Sequence, residues 1–369
     1  MGTKRWGLSP VWHPMNMIRM VVWFIYLLLS HAQVFRKPGE RDDWKQKLPK
    51  VSLGGSTVMI TGPSSGLGFA FALEFAKVKG CHVVLLCRTA ASAEATESRI
   101  RRAIPDASLE SFALDLRDPQ GVLSFARRFA QGLGARGKRR PPLKLLVNNA
   151  GVYSRQATYT EAHGLERTFA ANIFGHYLLT DELLPLLSEA RGTVAFTSSF
   201  SHRAVTESEF QAFLKGVVHR GEDKGHSKGG SRKAKMYPAQ AYACTKLAVL
   251  LLPEYLRSAS RYEGVKYLWV DPGAVNTRIT RSWPCLLVGS YQIVLKALGL
   301  FADPARIAAS LAGAIQGGLD GVYLFGERGD RLNASMLSKD LGLALQLVHR
   351  CEDVRRSLNL CEQRELCQR

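Results

Sequence analysis

Short apolar, β-branched runs alternate with helix-patterned segments along most of this chain, and that alternation predicts an α/β fold built on a doubly wound parallel sheet. Two more observations point the same way. A glycine-rich turn, Thr61-Gly-Pro-Ser-Ser-Gly-Leu-Gly68, stands at the first strand-to-helix junction. The 369 residues, 46% of them hydrophobic, suffice for one large α/β domain with extensions.

The elements follow in order. Ser56–Ile60 reads as a buried strand, and helical spacing runs from Phe69 to Lys79, where Gly80 ends it. Cys81–Cys87 is the second strand, and Ala90–Ala103 a helix. Leu109–Leu114 is the third strand, and Pro119–Gly132 a helix. Leu143–Val147 is the fourth strand, followed by a long helix over Glu166–Leu187. Gly192–Thr197 is the fifth strand, Ala241–Ser258 a helix and Val265–Val270 the sixth strand. Gly321–Phe325 adds an edge strand late in the chain.

This pattern divides the chain into a single catalytic domain over 53–335 with extensions at both ends. Residues 1–35 carry an apolar helix, 36–52 a polar linker, and 336–369 a C-terminal tail with an amphipathic helix from Lys339. Within the domain, 202–236 is a long, polar, basic insert, and 278–301 is apolar: a substrate lid, a second membrane contact or a core helix.

The N-terminal run Met20–Leu29 is preceded by Lys4, Arg5 and Arg19 and followed by Arg36 and Lys37. It is shorter than the ~20 residues that span a bilayer, and its extension to Phe35 meets polar interruptions. A membrane anchor or interfacial helix, a cleaved signal peptide, and a helix packed on the protein itself all stay open. Trp12, Trp23, Phe24 and Tyr26 suit an interface, where amphipathic rings settle.

The formal charge is +19. The basic residues are spread out, without zinc-finger spacing or an aromatic-rich RNA-binding signature, so no nucleic-acid partner is expected. Attraction to an anionic membrane surface or to a phosphorylated cofactor accounts for the charge equally well. Cys81, Cys87, Cys244, Cys285, Cys351, Cys361 and Cys367 are odd in number and irregularly spaced, which argues against a metal site or a disulfide framework.

The chemistry gathers in a few motifs. In the glycine loop, Gly62 permits a tight turn after the strand, while Gly66 and Gly68 let backbone and helix approach a pyrophosphate. Ser64, Ser65 and Leu67 complete it. Arg88 ends the second strand, where a guanidinium suits the 2′-phosphate of NADP(H) and a carboxylate would suit NAD; the bland alternative is a solvated surface arginine. Tyr242 and Lys246 are four residues apart and share one helical face. A phenol beside an ammonium is an acid/base pair, the ammonium favouring the phenolate. The rival reading of Tyr242 is a packed helix tyrosine.

Taken together, Thr61–Gly68, Asn148-Asn-Ala-Gly151, Ser198-Ser199 and Tyr242-Ala-Cys-Thr-Lys246 resemble the short-chain dehydrogenase/reductase family over roughly residues 53–330. The resemblance implies a Rossmann fold and hydride transfer between nicotinamide and a carbonyl or alcohol. It implies a catalytic group of Ser199, Tyr242 and Lys246 with Asn172 behind, Asn172 supporting a water relay. Ser198 is the runner-up serine and Tyr237 the runner-up tyrosine. It further implies adenine contacts at Asp115 and Leu116, a sheet-steadying role for Asn148, Ala150 and Gly151, and closure over the nicotinamide by Pro272, Gly273 and Thr277. The apolar N-terminus, Arg88 and the long serine-to-tyrosine insert resemble the membrane-anchored, retinol-dehydrogenase-like branch. That branch implies an apolar alcohol or carbonyl substrate: a retinoid, polyprenoid, steroid or other lipid aldehyde. It implies an endoplasmic-reticulum membrane with the catalytic domain facing the cytosol. Family members also form homodimers through the helices carrying Asn172 and Tyr242. Pro63 departs from the pattern by removing an N–H from the loop. The contrasting reading is a cofactor-binding regulatory protein with little turnover.

Overall fold

The computed structural model describes residues 52–132, 140–154, 158–218, 236, 238–258, 262–275 and 301–360. The expected N-terminal helix, the middle of the 202–236 insert, the 278–300 stretch, Tyr237 and Thr277 lie outside the described residues.

The strands are β1 (Thr57–Thr61), β2 (His82–Cys87), β3 (Ser108–Ala113), β4 (Leu143–Asn148), β5 (Thr193–Thr197), β6 (Lys266–Asp271), β7 (Val322–Phe325) and β8 (Asp330–Leu332). They form one sheet in the order β3-β2-β1-β4-β5-β6-β7-β8. β1 to β7 run parallel. β8 returns antiparallel on β7, so the strand expected at the sheet edge is itself flanked. β1 and β4 to β6 are buried over most of their length, as a sheet covered on both faces requires. The chain order reverses between β1 and β4, and that crevice is where ligands bind in such sheets.

The helices are α1 (Gly66–Ala76), α2 (Ala90–Ala103), α3 (Pro119–Ala130), α4, α5 (Glu207–Gly216), α6 (Pro238–Ser258), α7 (Pro304–Gln316) and α8 (Leu341–Ser357). The long helix α4 runs on through Arg167–Phe169, a π-helical turn at Ala170–Phe174, and Gly175–Glu189. Helix α1 begins at Gly66, three residues before the apolar pattern does, because a glycine at φ +56° lets the turn close directly into helix.

Two apolar clusters flank the sheet. Phe71 and Phe75 of α1 pack with Ile307 and Leu311 of α7 on one face. Residues of α3, α4, α5, α6 and α8 fill the other. The C-terminal residues therefore include part of the core: Leu343, Leu347, Val348 and Cys351 of α8 are buried with Leu247 and Leu251 of α6. Arg355 of α8, 2% exposed, donates to Asp181 Oδ2 and Glu182 Oε1 of α4, each at 2.8 Å. A buried guanidinium left without those carboxylates would cost several kcal/mol, about 3–5. Among the described residues no helix is long and apolar enough to cross a membrane.

Gly175 shows how tightly α4 meets the loop after β3. A Cβ there would lie 2.3 Å from the Leu116 carbonyl oxygen and 2.7 Å from Leu116 Cβ. Helix propensity alone favours alanine by about 1 kcal/mol. Backbone overlap costs more, so Gly175→Ala should lower stability by about 1–3 kcal/mol in urea denaturation. A net gain in stability would show that Leu116 moves aside freely.

Candidate active site

The site lies at the C-terminal ends of β1, β4, β5 and β6. Its floor is the glycine loop. Gly62 has φ +66°, and a Cβ on it would lie 3.0 Å from Ala150 Cα. A Cβ on Gly68 would fall 2.2 Å from the Gly62 carbonyl and 2.4 Å from Asn149 Nδ2, so α1 starts pressed onto its own loop. Ser65 gives α1 no side-chain cap, leaving the first N–H groups of the helix for an anion. Pro63 lies in the turn, Leu67 is buried, and the Ser64 carbonyl accepts from Arg99 Nη1 at 3.0 Å. The Arg99 guanidinium in turn lies 3.9 Å from the Phe69 ring centroid.

The loop is locked to the sheet by residues that the motif reading did not single out. Thr61 Oγ1 accepts from the backbone N–H groups of Asn149 at 2.9 Å and Ala150 at 3.0 Å. It also meets His176 Nε2 at 2.9 Å. Because His176 Nδ1 sits 3.0 Å from the Asn172 carbonyl, an acceptor, the proton of the neutral ring belongs on Nδ1 and Thr61 donates to Nε2. Asn149 Nδ2 donates to the Thr61 carbonyl at 3.0 Å, and its Oδ1 accepts from Thr197 at 3.3 Å, joining β1, β4 and β5. The doubled asparagine was the available signal; spacing alone did not say which member bridges. Asn148 instead donates to Thr180 of α4 at 2.9 Å, while its Oδ1 is buried without a partner.

At the other end of the crevice, Arg88 is exposed just beyond β2. Asp115 is engaged by Arg117, which donates Nε to Oδ1 at 2.9 Å and its backbone N–H to Oδ1 at 3.0 Å. Burial pushes the Asp115 carboxyl up, but the Arg117 bonds, aided by the Arg88 charge, outweigh it and hold the group below its ordinary value. Leu116 beside it is buried against α4.

The residues expected to be catalytic come from three parts of the fold: α6, the segment after β5 and the π-turn of α4. Tyr242 and Lys246 stand one turn apart on α6, with Lys246 Nζ 5.5 Å from the Tyr242 ring centroid. Lys246 donates to the Thr197 carbonyl at 2.8 Å. The Ser199 hydroxyl accepts from Ser201 N at 3.4 Å, and its influence on the Tyr242 phenol is to lower that group. Ser198 donates away from it, to the Lys246 carbonyl at 3.2 Å. Asn172, in the π-turn, accepts from Val152 N at 2.8 Å and donates to Val152 O and Thr245 Oγ1, both at 3.1 Å. It thereby fixes the loop after β4, where a Cβ on Gly151 would lie 3.7 Å from both Asn172 Oδ1 and Lys246 Nζ. Tyr153 puts its ring 5.5 Å from that of Tyr242. Gly273, at φ +66° after Pro272, donates to Asp271 Oδ1 at 2.9 Å.

The electrostatics correct one expectation. Burial, then the Asp271 charge, push the Tyr242 phenol well above its ordinary value, and the Ser199 hydrogen bond offsets only part of this. Burial brings Lys246 down to about 8, with Asp271 resisting. Proximity on a helix face predicted a phenol eased toward ionisation; enclosure reverses the sign.

Burial also takes His176 and His202 down to about 4. Each has a folded pKa below its unfolded value. The unfolded chain therefore gains a proton near pH 6.5 that the folded chain takes only near pH 4. Stability is full above pH 6.5 and falls as pH drops toward 4, by on the order of 3 kcal/mol per histidine. The carboxyls of Glu166 and Asp271, raised by burial, oppose part of this at the acid end. Urea denaturation between pH 7 and 4.5 should show the decline, and His202→Gln should flatten it; an equal slope in that variant would place the protons elsewhere.

The comparisons with known proteins agree with this geometry. The family model described as short chain dehydrogenase matches residues 56–208. The human dehydrogenase/reductase SDR family member 12 is 35% identical over 50% of this chain and 55% of its own length. Mouse retinol dehydrogenase 12 is 33% identical over 63% of this chain and 65% of its own length. The chain thus spans less than two thirds of these two relatives. Human polyprenol dehydrogenase is 30% identical over 73% of this chain and 76% of its own length. The solved Pseudomonas aeruginosa RhlG/NADP active-site complex shares the fold, with a TM-score of 0.55 at 21% identity over 75% of this chain and 96% of that one. The chain belongs to the short-chain dehydrogenase/reductase family, in its retinol-dehydrogenase-like branch.

Proposed function

We propose that this protein is an NADP(H)-dependent oxidoreductase interconverting an apolar alcohol and its aldehyde or ketone. One observation carries the reading: the half-buried Tyr242 and the buried Lys246 stand one turn apart on α6, beside the Ser198-Ser199 segment and above a glycine loop packed tightly on its own helix. The loop suits a dinucleotide: glycine at 62 and 68 lets it fold tightly against the start of α1, whose first N–H groups have no side-chain cap. Gly62, Ser64, Ser65, Gly66, Leu67 and Gly68 would hold the pyrophosphate; Arg88 a 2′-phosphate; Asp115 and Leu116 the adenine. Asn148, Ala150, Gly151, Pro272, Gly273 and Thr277 would enclose the nicotinamide end. Bound there, the cofactor supplies the hydride. Tyr242 gives or takes the proton on the substrate oxygen, Ser199 steadies that oxygen, Lys246 holds the ribose hydroxyls, and Asn172 supports the water that renews the proton.

The relatives named for retinol and polyprenol support an apolar substrate of retinoid, polyprenoid or related lipid type. The apolar run Met20–Leu29 supports a place on the endoplasmic-reticulum membrane with the catalytic domain in the cytosol. A homodimer would have to use surface that α8 leaves uncovered on α4 and α6.

The test is NADPH oxidation by the full-length chain in detergent against lipid aldehydes and ketones. Tyr242→Phe should lower kcat by about 10²–10⁴-fold. NADPH binding without turnover across the panel would instead favour a regulatory protein. Arg88→Ala should weaken NADPH binding by roughly tenfold or more while leaving NADH nearly unchanged, as loss of a charge-assisted bond predicts. Equal losses for both cofactors in calorimetric titration would remove Arg88 from the phosphate.

A further inference from the structure

At the end of the sheet where the strands begin, a cavity of about 610 Å³ is lined by residues that include Lys144, Ser188, Arg191, Thr193, Glu263 and Lys266. Lys144 is the second residue of β4, Thr193 the first of β5 and Lys266 the first of β6. The cavity therefore lies a strand's length, roughly 17–20 Å, from the end that holds the glycine loop and Tyr242. Its lining carries three cations and one carboxylate, and among the described residues none of the four is in an ion pair.

Helix ends account for the two lysines. Lys144 Nζ donates to the carbonyl of Ala190, the C-cap of α4, and Lys266 Nζ donates to the Gly318 carbonyl just past α7 at 2.9 Å. Each bond serves an otherwise orphaned carbonyl. Each ammonium has three donors, so each is held in place with donors to spare. Burial first, then the charges of Lys266 and Arg191, bring Lys144 below its ordinary value. An anion among the three would relieve that repulsion.

Helix ends do not account for Arg191. It follows the α4 C-cap at φ +46°, in the left-handed region where glycine is the usual residue. Its N–H donates to the Ser188 carbonyl at 2.9 Å and that of Gly192 to the Leu187 carbonyl at 2.7 Å, a closure that glycine at 191 would make without strain. Gly264, at φ +78°, leaves room for the arginine stem, since a Cβ there would come within 3.3 Å of Arg191 Cγ. A strained arginine where glycine fits points to work for the guanidinium.

We propose that this cavity is a phosphate-binding site, separate from the glycine loop, in which Lys144, Arg191 and Lys266 hold the phosphate group of a small ligand. A carboxylate offers two oxygens and one charge. A terminal phosphate offers three oxygens and nearly two charges, which suits cations arriving from β4, β6 and the end of α4. Arginine meets it as a fork and lysine as a point charge. The volume falls in the ~300–1,000 Å³ range of small-molecule sites, so there is room for more than the phosphate itself. Glu263 opposes the anion and limits its affinity. A soluble phosphate ester and a phospholipid headgroup both present this chemistry. The inference does not depend on the oxidoreductase reading.

The experiment is calorimetric titration of the full-length chain in detergent with pyrophosphate, with and without saturating NADPH. Where the oxidoreductase reading holds, NADPH fills the glycine loop and the heat from this cavity persists beside it; where that reading fails, the same heat appears in both titrations. Arg191→Gly is the decisive variant. It should raise the urea midpoint, because a strained backbone is relieved, and yet weaken the NADPH-insensitive binding by about tenfold or more, as loss of a charge-assisted bond predicts. Lys266→Gln should weaken it too, and Glu263→Gln should tighten it. A parallel titration uses dihexanoyl phosphatidic acid, a water-soluble phospholipid. Tighter Arg191-dependent binding of the phosphatidic acid identifies a headgroup, and tighter binding of pyrophosphate a soluble ester; either upholds the site. Binding that survives Arg191→Gly unchanged, or no NADPH-insensitive binding of either probe, overturns it and leaves Arg191 as a helix end alone.

Discussion

The Thr61 hydroxyl is the joint on which the site depends. It lies at the last residue of β1 and serves the amides of Asn149 and Ala150 and the ring of His176 at once. Through Asn149 it reaches β5, and through His176 it reaches the Asn172 carbonyl in α4. Valine would have the same shape and strong strand propensity, yet it would take the acceptor from the Ala150 N–H and the donor from the buried His176 ring nitrogen, each loss costing about 1–3 kcal/mol. The glycine loop can be thin and unstrapped because this hydroxyl fixes where the strand stops and the turn begins.

Beyond that joint, the site is a problem of buried charge. Lys246 is 4% exposed and Asp271 1%. Neither ion would stay ionised alone in such a place. The structure answers with neutral donors around the carboxylate, from Tyr323 and Gly273, and with the Thr197 carbonyl against the ammonium. The sheet edge supplies these groups ready oriented, since backbone atoms at strand ends have no neighbouring strand to satisfy.

Much of this was legible in the sequence where the relevant contacts are local. The strand-to-helix glycine loop, and Tyr242 with Lys246 on one helical face, follow from spacing within a few residues. The alternation of β and α segments gave the sheet and its parallel sense. Longer reach defeats such reading. Tyr323 and Asp271 meet only because β6 and β7 pair, and nothing near either residue announces it. Asn149 lay inside a quoted motif, but choosing between adjacent asparagines requires knowing which side of β4 faces β1. β8 has three residues, too few for any period, and Gly66 carries no apolar signal because its contribution is a backbone angle. The direction of the Tyr242 shift depended on enclosure, which spacing does not measure.

The late position of Tyr323 has a consequence for the order in which the protein is made. A nascent chain that has released β1 to β6 already holds the glycine loop, Asn172, Ser199, Tyr242 and Lys246, but β6 is then an open sheet edge and Asp271 lacks its phenol. Arg355 of α8, which clamps α4, emerges later still. During synthesis the residues of the site are therefore present well before β7 and α8, whose side chains complete their surroundings.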